Sequence, residues 1–289
     1  MVSELKRAAM IYDFDGTLAE GNLQERSFIP EVGMTKEAFW AEVKARKQAE
    51  DADEILTYMH LMLEKARLAG LAVTKEALRH HGENAPLFPG LAGKVWFERI
   101  NAFAAQQGIA LEHYILSSGI EEMILGCPIA DAFEKVFASK FIYEDGEAAW
   151  PGVAINYTTK TQYVFRINKG ISNHWDNDKL NAFTAESERP IPFERMIFLG
   201  DGDTDIPTMR TVTDKGGHSV AVYDPSRTDR DMSKVHRLIA DRRVDFVAPA
   251  DYREKSQLEI IVKGIVGRMA RGCSRIALVC SMPCSRRAG

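Results

Sequence analysis

Short apolar runs that end in polar turns alternate along this chain with longer stretches whose apolar residues recur every three or four positions. The first run, Ala8 to Phe14, ends in Asp15-Gly16-Thr17. That pattern predicts a buried strand of a parallel sheet with its functional end at the turn. From Gln24 to Leu87 the period lengthens, and helices are expected over 36–50, 52–69 and 75–81. Ile55, Met59, Met62, Leu63 and Ala66 share one face of the second. Pro86 and Pro89-Gly90 close this block.

A helix over 91–107 then leads to a second strand, His113 to Leu116. Lys135 to Arg166 reads as extended segments joined by hairpins, with a turn at Glu144-Asp145-Gly146 and a strand-like stretch from Tyr157 to Phe165. Gly170 to Phe183 reads as a helix. Further short strands are expected at Met196–Leu199, His218–Tyr223 and Val244–Val247, with a closing helix over 255–271.

This alternation predicts an α/β fold, a doubly wound, Rossmann-like parallel sheet with an inserted, smaller α-helical domain. The expected division is a discontinuous core over 1–18 and 88–271, a helical insertion over 19–87, and a disordered tail over 272–289.

Composition narrows the partners. A formal charge of −4 on 289 residues gives no general attraction to nucleic acid or to an anionic membrane. No stretch has the length of apolar sequence needed to cross a bilayer, and no signal-like run precedes the first strand. Of the four cysteines, Cys273, Cys280 and Cys284 crowd the tail and only Cys127 lies elsewhere, which is no disulfide framework. A cytoplasmic location is the expectation. Oligomeric state has no signature here.

The candidate chemistry sits at three strand ends: Asp13-Phe14-Asp15-Gly16-Thr17, Ser117-Ser118-Gly119, and Gly200-Asp201-Gly202-Asp203-Thr204-Asp205. In an open parallel sheet such ends face one crevice. Carboxylates gathered there repel one another, and a hard cation such as Mg²⁺ relieves the repulsion while bridging phosphate oxygens. Asp13 and Asp15, two apart at the end of a strand, point to the same side and can address one substrate. One can attack phosphorus, the other can protonate the leaving oxygen and then activate water. Gly16 and its N–H groups, with Ser117, can hold phosphoryl oxygens.

With these motifs in order, the chain resembles the haloacid dehalogenase superfamily, nearest its phosphoserine-phosphatase-like branch, where the cap is inserted between the first and second motifs. The resemblance implies Asp13 as nucleophile and Mg²⁺ ligand, and Asp15 as acid/base contributing its backbone carbonyl to the metal. It implies Gly16, Thr17, Ser117 and Ser118 around the phosphoryl group, Asp201 as a direct metal ligand and Asp205 as a metal or lysine support. The third motif is a lysine before a helix, implied to bind the phosphoryl group and neutralise its developing charge, and Lys169-Gly170 fits it best. Lys160 falls in the strand-like stretch. Asp203 is a secondary loop acid.

The implied activity is a Mg²⁺-dependent phosphatase acting on a small phosphorylated metabolite through an aspartyl phosphate on Asp13. A phosphomutase or a catalytically silent binding protein is the alternative. The second aspartate, Asp15, separates this chain from carbon–halogen hydrolases and from transport ATPases of the superfamily. Phosphoserine phosphatases carry a glutamate seven residues beyond that aspartate, where this chain has Asn22. Glu20, Asn22, Glu25 and Arg26 are expected at the entrance, with Glu20, Asn22 and Arg26 selecting the substrate.

Overall fold

The computed structural model describes residues 5–202, 204–226 and 236–272. Its centre is a seven-stranded sheet in the order β4-β3-β2-β1-β5-β6-β7. The strands are β1 Lys6–Tyr12, β2 Ile109–Ile120, β3 Lys135–Glu144, β4 Glu147–Val153, β5 Met196–Gly200, β6 His218–Tyr223 and β7 Phe246–Pro249. All neighbours are parallel except the β3–β4 hairpin at one edge. The chain therefore winds outward from β1 through β2 to β3, then returns to place β5 on the other side of β1. The reversal falls beside β1, where open sheets of this kind hold their ligands at the carboxyl ends of the strands.

β1 is central because both its faces are apolar. Ala8, Met10 and Tyr12 belong to one hydrophobic cluster, and Ala9 and Ile11 to the other, the two-residue alternation of a strand buried on both sides. Over the first face pack the helices Val95–Gln106 and Gln257–Ala270, through Trp96, Phe97, Ile100, Leu258, Val262 and Ile265. The second face is covered by Thr159–Lys169 and Ile206–Asp214, through Tyr163, Val164, Ile167, Met209 and Val212.

The stretch between β1 and β2 holds the expected helices, observed at Lys36–Ala49, Glu54–Leu68 and Lys75–Gly82, with short helical turns at Leu23–Arg26 and Phe28–Glu31. Thr35, Asp53 and Thr74 cap the three main helices, each accepting backbone N–H groups of the first turn. These helices share one continuous apolar cluster with the sheet. The contact between Lys75–Gly82 and the helix Glu121–Gly126 is close: a Cβ on Gly82 would lie 1.8 Å from the Met123 carbonyl oxygen, and one on Gly126 1.9 Å from that of Arg79.

One expected element changes type and another shortens. Residues 157–165 are not extended: a helix runs from Thr159 to Lys169, burying Lys160, Tyr163, Val164 and Ile167. The β-branched and aromatic residues of the stretch suggest a strand, but those four positions are one helical stripe. Gly170, with φ at 69°, ends this helix in the left-handed conformation, its N–H bonded to the Ile167 carbonyl. The helix expected over 170–183 reduces to Asn177–Asn181. Lys169-Gly170 thus closes a helix and does not open one. β2 also continues past Leu116, through a register shift that carries Ser117, Ser118 and Gly119. The tail, with Cys273, Cys280 and Cys284, lies outside the described residues.

Candidate active site

β1 delivers Asp13 and Asp15 to one side and Phe14 to the other. The Asp13 N–H extends the ladder to the Leu199 carbonyl at 2.8 Å. Phe14 is fully buried, while Asp13 and Asp15 line a cavity of about 430 Å³. The turn is tied by the Thr17, Leu18 and Ala19 N–H groups, which all donate to the Phe14 carbonyl, and from the core side by the Tyr252 hydroxyl, which donates to the Thr17 carbonyl at 2.7 Å. Gly16 is required here. Its φ is 75°, and a Cβ would stand 2.4 Å from Oδ2 of Asp201. The β1 and β5 loops meet at that glycine.

Ser117 and Gly119 supply the second wall, with the Gly119 N–H donating to Ser117 Oγ at 3.1 Å. The Asp15 carboxylate lies against Gly119, where a Cβ would be 2.8 Å from its Oδ2, and its Oδ1 accepts the Leu23 N–H at 3.2 Å. Burial, and then the Asp13 and Asp201 carboxylates, push Asp15 up to about 8.

β5 supplies Asp201 and the turn that returns Asp205 beneath the cavity. Asp13, Asp201 and Asp205 each offer a carboxylate oxygen, and these atoms all lie within 4.8 Å of one another. The Asp15 carboxylate is not in that group. Below it lies Lys160, fully buried, its Nζ donating to Asp205 Oδ1 at 2.7 Å and reaching Asp13 Oδ1 at 3.2 Å and Thr204 Oγ1 at 3.4 Å. Burial alone would lower the Lys160 pKa, but the Asp13 and Asp205 carboxylates outweigh it and hold the ammonium charged. Among the described residues, three acidic side chains and one ammonium meet here. Hard oxygen donors at this separation suit a small dication such as Mg²⁺.

The structure brings Asp13, Asp15, Gly16, Ser117, Ser118, Asn22 and Asp201 to one cavity, with Asp205 under its floor. Lys169 is not there. Its Nζ donates to the Leu180 and Ala182 carbonyls at 2.6 and 2.7 Å, and Lys160 stands in its place, nine residues earlier and so on another face of the same helix. Thr17 does not line the cavity; it is fully buried, and its Oγ1 has no partner among the described residues. Glu20 and Arg26 also lie off the cavity wall, facing each other at 3.9 Å with both side chains about half exposed. Asp203 is outside the described residues.

Sequence reasoning weighed Lys160 but set it aside for Lys169, although its spacing from Tyr163, Val164 and Ile167 carried the signal of a helix. It missed Gln24, Trp40, Glu54, Tyr58 and Tyr157 in the cavity wall. Periodicity marks such residues as helix faces without saying which cavity a face covers.

Residues 10–210 match the family model for haloacid dehalogenase-like hydrolases, and the chain belongs to that family. A curated but uncharacterized protein of Borreliella burgdorferi is 28% identical over 276 residues, covering 86% of this chain and 93% of that protein. Among solved structures, a HAD family hydrolase from Salmonella enterica subsp. enterica serovar Typhi superposes with a TM-score of 0.55 at 16% identity, over 90% of this chain and 71% of that one. A phosphoserine phosphatase in its apo form gives 0.52 at 16%, over 89% and 98% of the two chains. A probable phosphoserine phosphatase from Vibrio cholerae gives 0.52 at 13%, over 92% and 67%. At these identities the superpositions establish a shared fold.

Proposed function

We propose that this hydrolase is a phosphatase that cleaves a small phosphomonoester by transferring the phosphoryl group to Asp13. The observation that carries the reading is the position of Asp13. It stands at the end of the central strand on a cavity floor, in a three-carboxylate group, with a fully buried ammonium 3.2 Å away. Among the described residues its Oδ1 accepts the Phe14 N–H at 2.8 Å and faces Lys160, which leaves Oδ2 to attack.

In the first step Oδ2 of Asp13 bonds to phosphorus as the ester P–O bond breaks, and Asp15 gives its proton to the departing alcohol oxygen. In the second, Asp15 takes a proton from water as that water attacks phosphorus, releasing inorganic phosphate and restoring Asp13. Lys160 offsets charge on the transferring group, and the Ser117 hydroxyl with the Asp15 backbone N–H orients it. Asp13, Asp201 and Asp205 would hold Mg²⁺, with Asp205 shared with Lys160. Bound there, the ion supplies charge neutralisation of phosphoryl oxygens. Residues 19–87 act as a cap over the cavity, excluding bulk water and limiting substrates to small molecules.

The test is phosphate release from a panel of small phosphomonoesters, with and without Mg²⁺, by the native chain and by Asp13→Asn. Release that needs Mg²⁺ and is lost in the variant is expected. Release that survives Asp13→Asn removes Asp13 as the nucleophile.

A further inference from the structure

The cavity wall contributed by the helical insertion is one-sided in charge. Glu25 and Glu54 line it, while among its described lining residues there is no lysine, arginine or histidine. Glu54 is held in an ion pair with Lys47. Glu25 has neutral partners: its Oε1 accepts from Asn22 Nδ2 at 2.8 Å and from Trp40 Nε1 at 2.7 Å. Those two donors orient the Glu25 carboxylate without offsetting its charge.

Around it stand aromatic rings and an unsatisfied acceptor. Trp40 and Tyr58 pack edge to face with ring centroids 5.7 Å apart, and Tyr157 also lines the cavity. Gln24 is only 3% exposed yet belongs to the lining, and its Oε1 has no hydrogen-bond partner among the described residues. A buried acceptor without a donor is costly, so a group carrying N–H donors is favoured beside it. A carboxylate, an aromatic wall and an orphaned carbonyl oxygen share one preference, for an ammonium group.

From this we infer that the alcohol portion of the substrate carries a primary ammonium group and no carboxylate, as in a short aminoalkyl phosphate. The inference rests on the phosphatase reading for its phosphoryl end, and on Glu25, Gln24 and Trp40 for the other. The phosphate meets Lys160 and the strand ends, and the ammonium lies against Glu25. An amino-acid phosphate would bring a carboxylate into the same wall, beside Glu25 and with no cation there to receive it. This separates the chain from the phosphoserine phosphatases whose fold it shares.

The test is calorimetric titration of the full chain carrying Asp13→Asn, in Mg²⁺, with phosphoethanolamine, propyl phosphate and O-phosphoserine. Propyl phosphate has the same shape with a methyl in place of the ammonium. Phosphoethanolamine is expected to bind at least about tenfold more tightly than propyl phosphate, and more tightly than O-phosphoserine. Adding Glu25→Gln should draw the first ratio towards one, and Trp40→Phe, which removes a donor that orients Glu25, should reduce it. Equal affinity for propyl phosphate, tightest binding of O-phosphoserine, or no measurable binding of phosphoethanolamine overturns the inference. Phosphate release by the native chain is scored separately. Release with a flat order of affinities leaves the phosphatase reading standing and removes this one, whereas the expected order with no release from any ester does the reverse.

Discussion

Lys160 donates to Asp205 across 2.7 Å, and both side chains are fully buried although 45 residues separate them in the chain. The pair joins a helix on one face of the sheet to the turn after β5, and the same ammonium reaches Asp13 at the end of β1. One cation thus ties the two loops that flank the reversal of the sheet.

Lys160→Met should therefore cost phosphate release at least about a hundredfold. It also leaves buried carboxylates without their partner, a loss of roughly 3–5 kcal/mol in comparable pairs. Lys169→Met, which removes only two bonds to backbone carbonyls, should leave release within about twofold and cost about 1 kcal/mol. Turnover and urea unfolding of the two variants, side by side, check the assignment. Equal losses in both would remove Lys160 from its role.

Gly16→Ala should damage the site more than its size suggests. The new Cβ meets Asp201 Oδ2 at 2.4 Å, at a φ of 75°, and the left-handed backbone alone costs roughly 1–2 kcal/mol. Since Asp201 must move, the Mg²⁺ concentration giving half-maximal release should rise. A variant with unchanged Mg²⁺ dependence would show that the β1 and β5 loops yield without disturbing the carboxylates.

His113 makes stability depend on pH. Trp96 Nε1 donates to Tyr12 Oη at 3.0 Å, so the Tyr12 hydroxyl donates to His113 Nδ1, and the His113 proton sits on Nε2, donating to Asn101 Oδ1 at 2.9 Å. The neutral ring is satisfied, and burial lowers its pKa from 6.5 to about 3. Below pH 6.5 the unfolded chain binds a proton that the native chain refuses, so stability falls as pH falls. Between pH 6.5 and 5 this group should remove about 2 kcal/mol. Urea unfolding across that range checks it, and His113→Gln, less stable at neutral pH, should flatten the slope. The same slope in the variant would assign the effect to other groups.

Gly82→Ala and Gly126→Ala should each lower the melting temperature, although alanine is the better helix former by about 1 kcal/mol. Each Cβ would fall within 2 Å of a carbonyl oxygen on the facing helix, 1.8 Å for Gly82 and 1.9 Å for Gly126. The two helices would have to separate, at about 1–3 kcal/mol. Thermal unfolding of the variants decides between propensity and packing, and a raised melting temperature in either would show that the crossing has slack.

Much of the fold is legible in the chain itself, and for a local reason. From Ala8 onward β1 is an uninterrupted apolar run, as β5 is, and the polar residues that follow each run must lie at the strand's carboxyl end. Asp13, Asp15, Gly16 and Asp201 are therefore placed by their immediate neighbours. The helices Lys36–Ala49 and Glu54–Leu68 are legible because each has a capping residue and one apolar stripe, and Lys75–Gly82 through its cap at Thr74.

What the tertiary structure decided depends on long-range contact. Residues 157–165 carry strand-forming side chains, and only packing of Tyr163, Val164 and Ile167 against the sheet selects the helix that brings Lys160 under Asp13. Trp40 and Tyr58 lie on separate helices, and nothing within either segment ties them to the cavity. The Tyr58 hydroxyl reaches the Ser118 carbonyl 60 positions away, at 2.7 Å, because the insertion folds back over the end of β2. Local patterning determined where strands end and which acids stand there; the choice of lysine and the composition of the cavity wall were set by how distant apolar faces pack together.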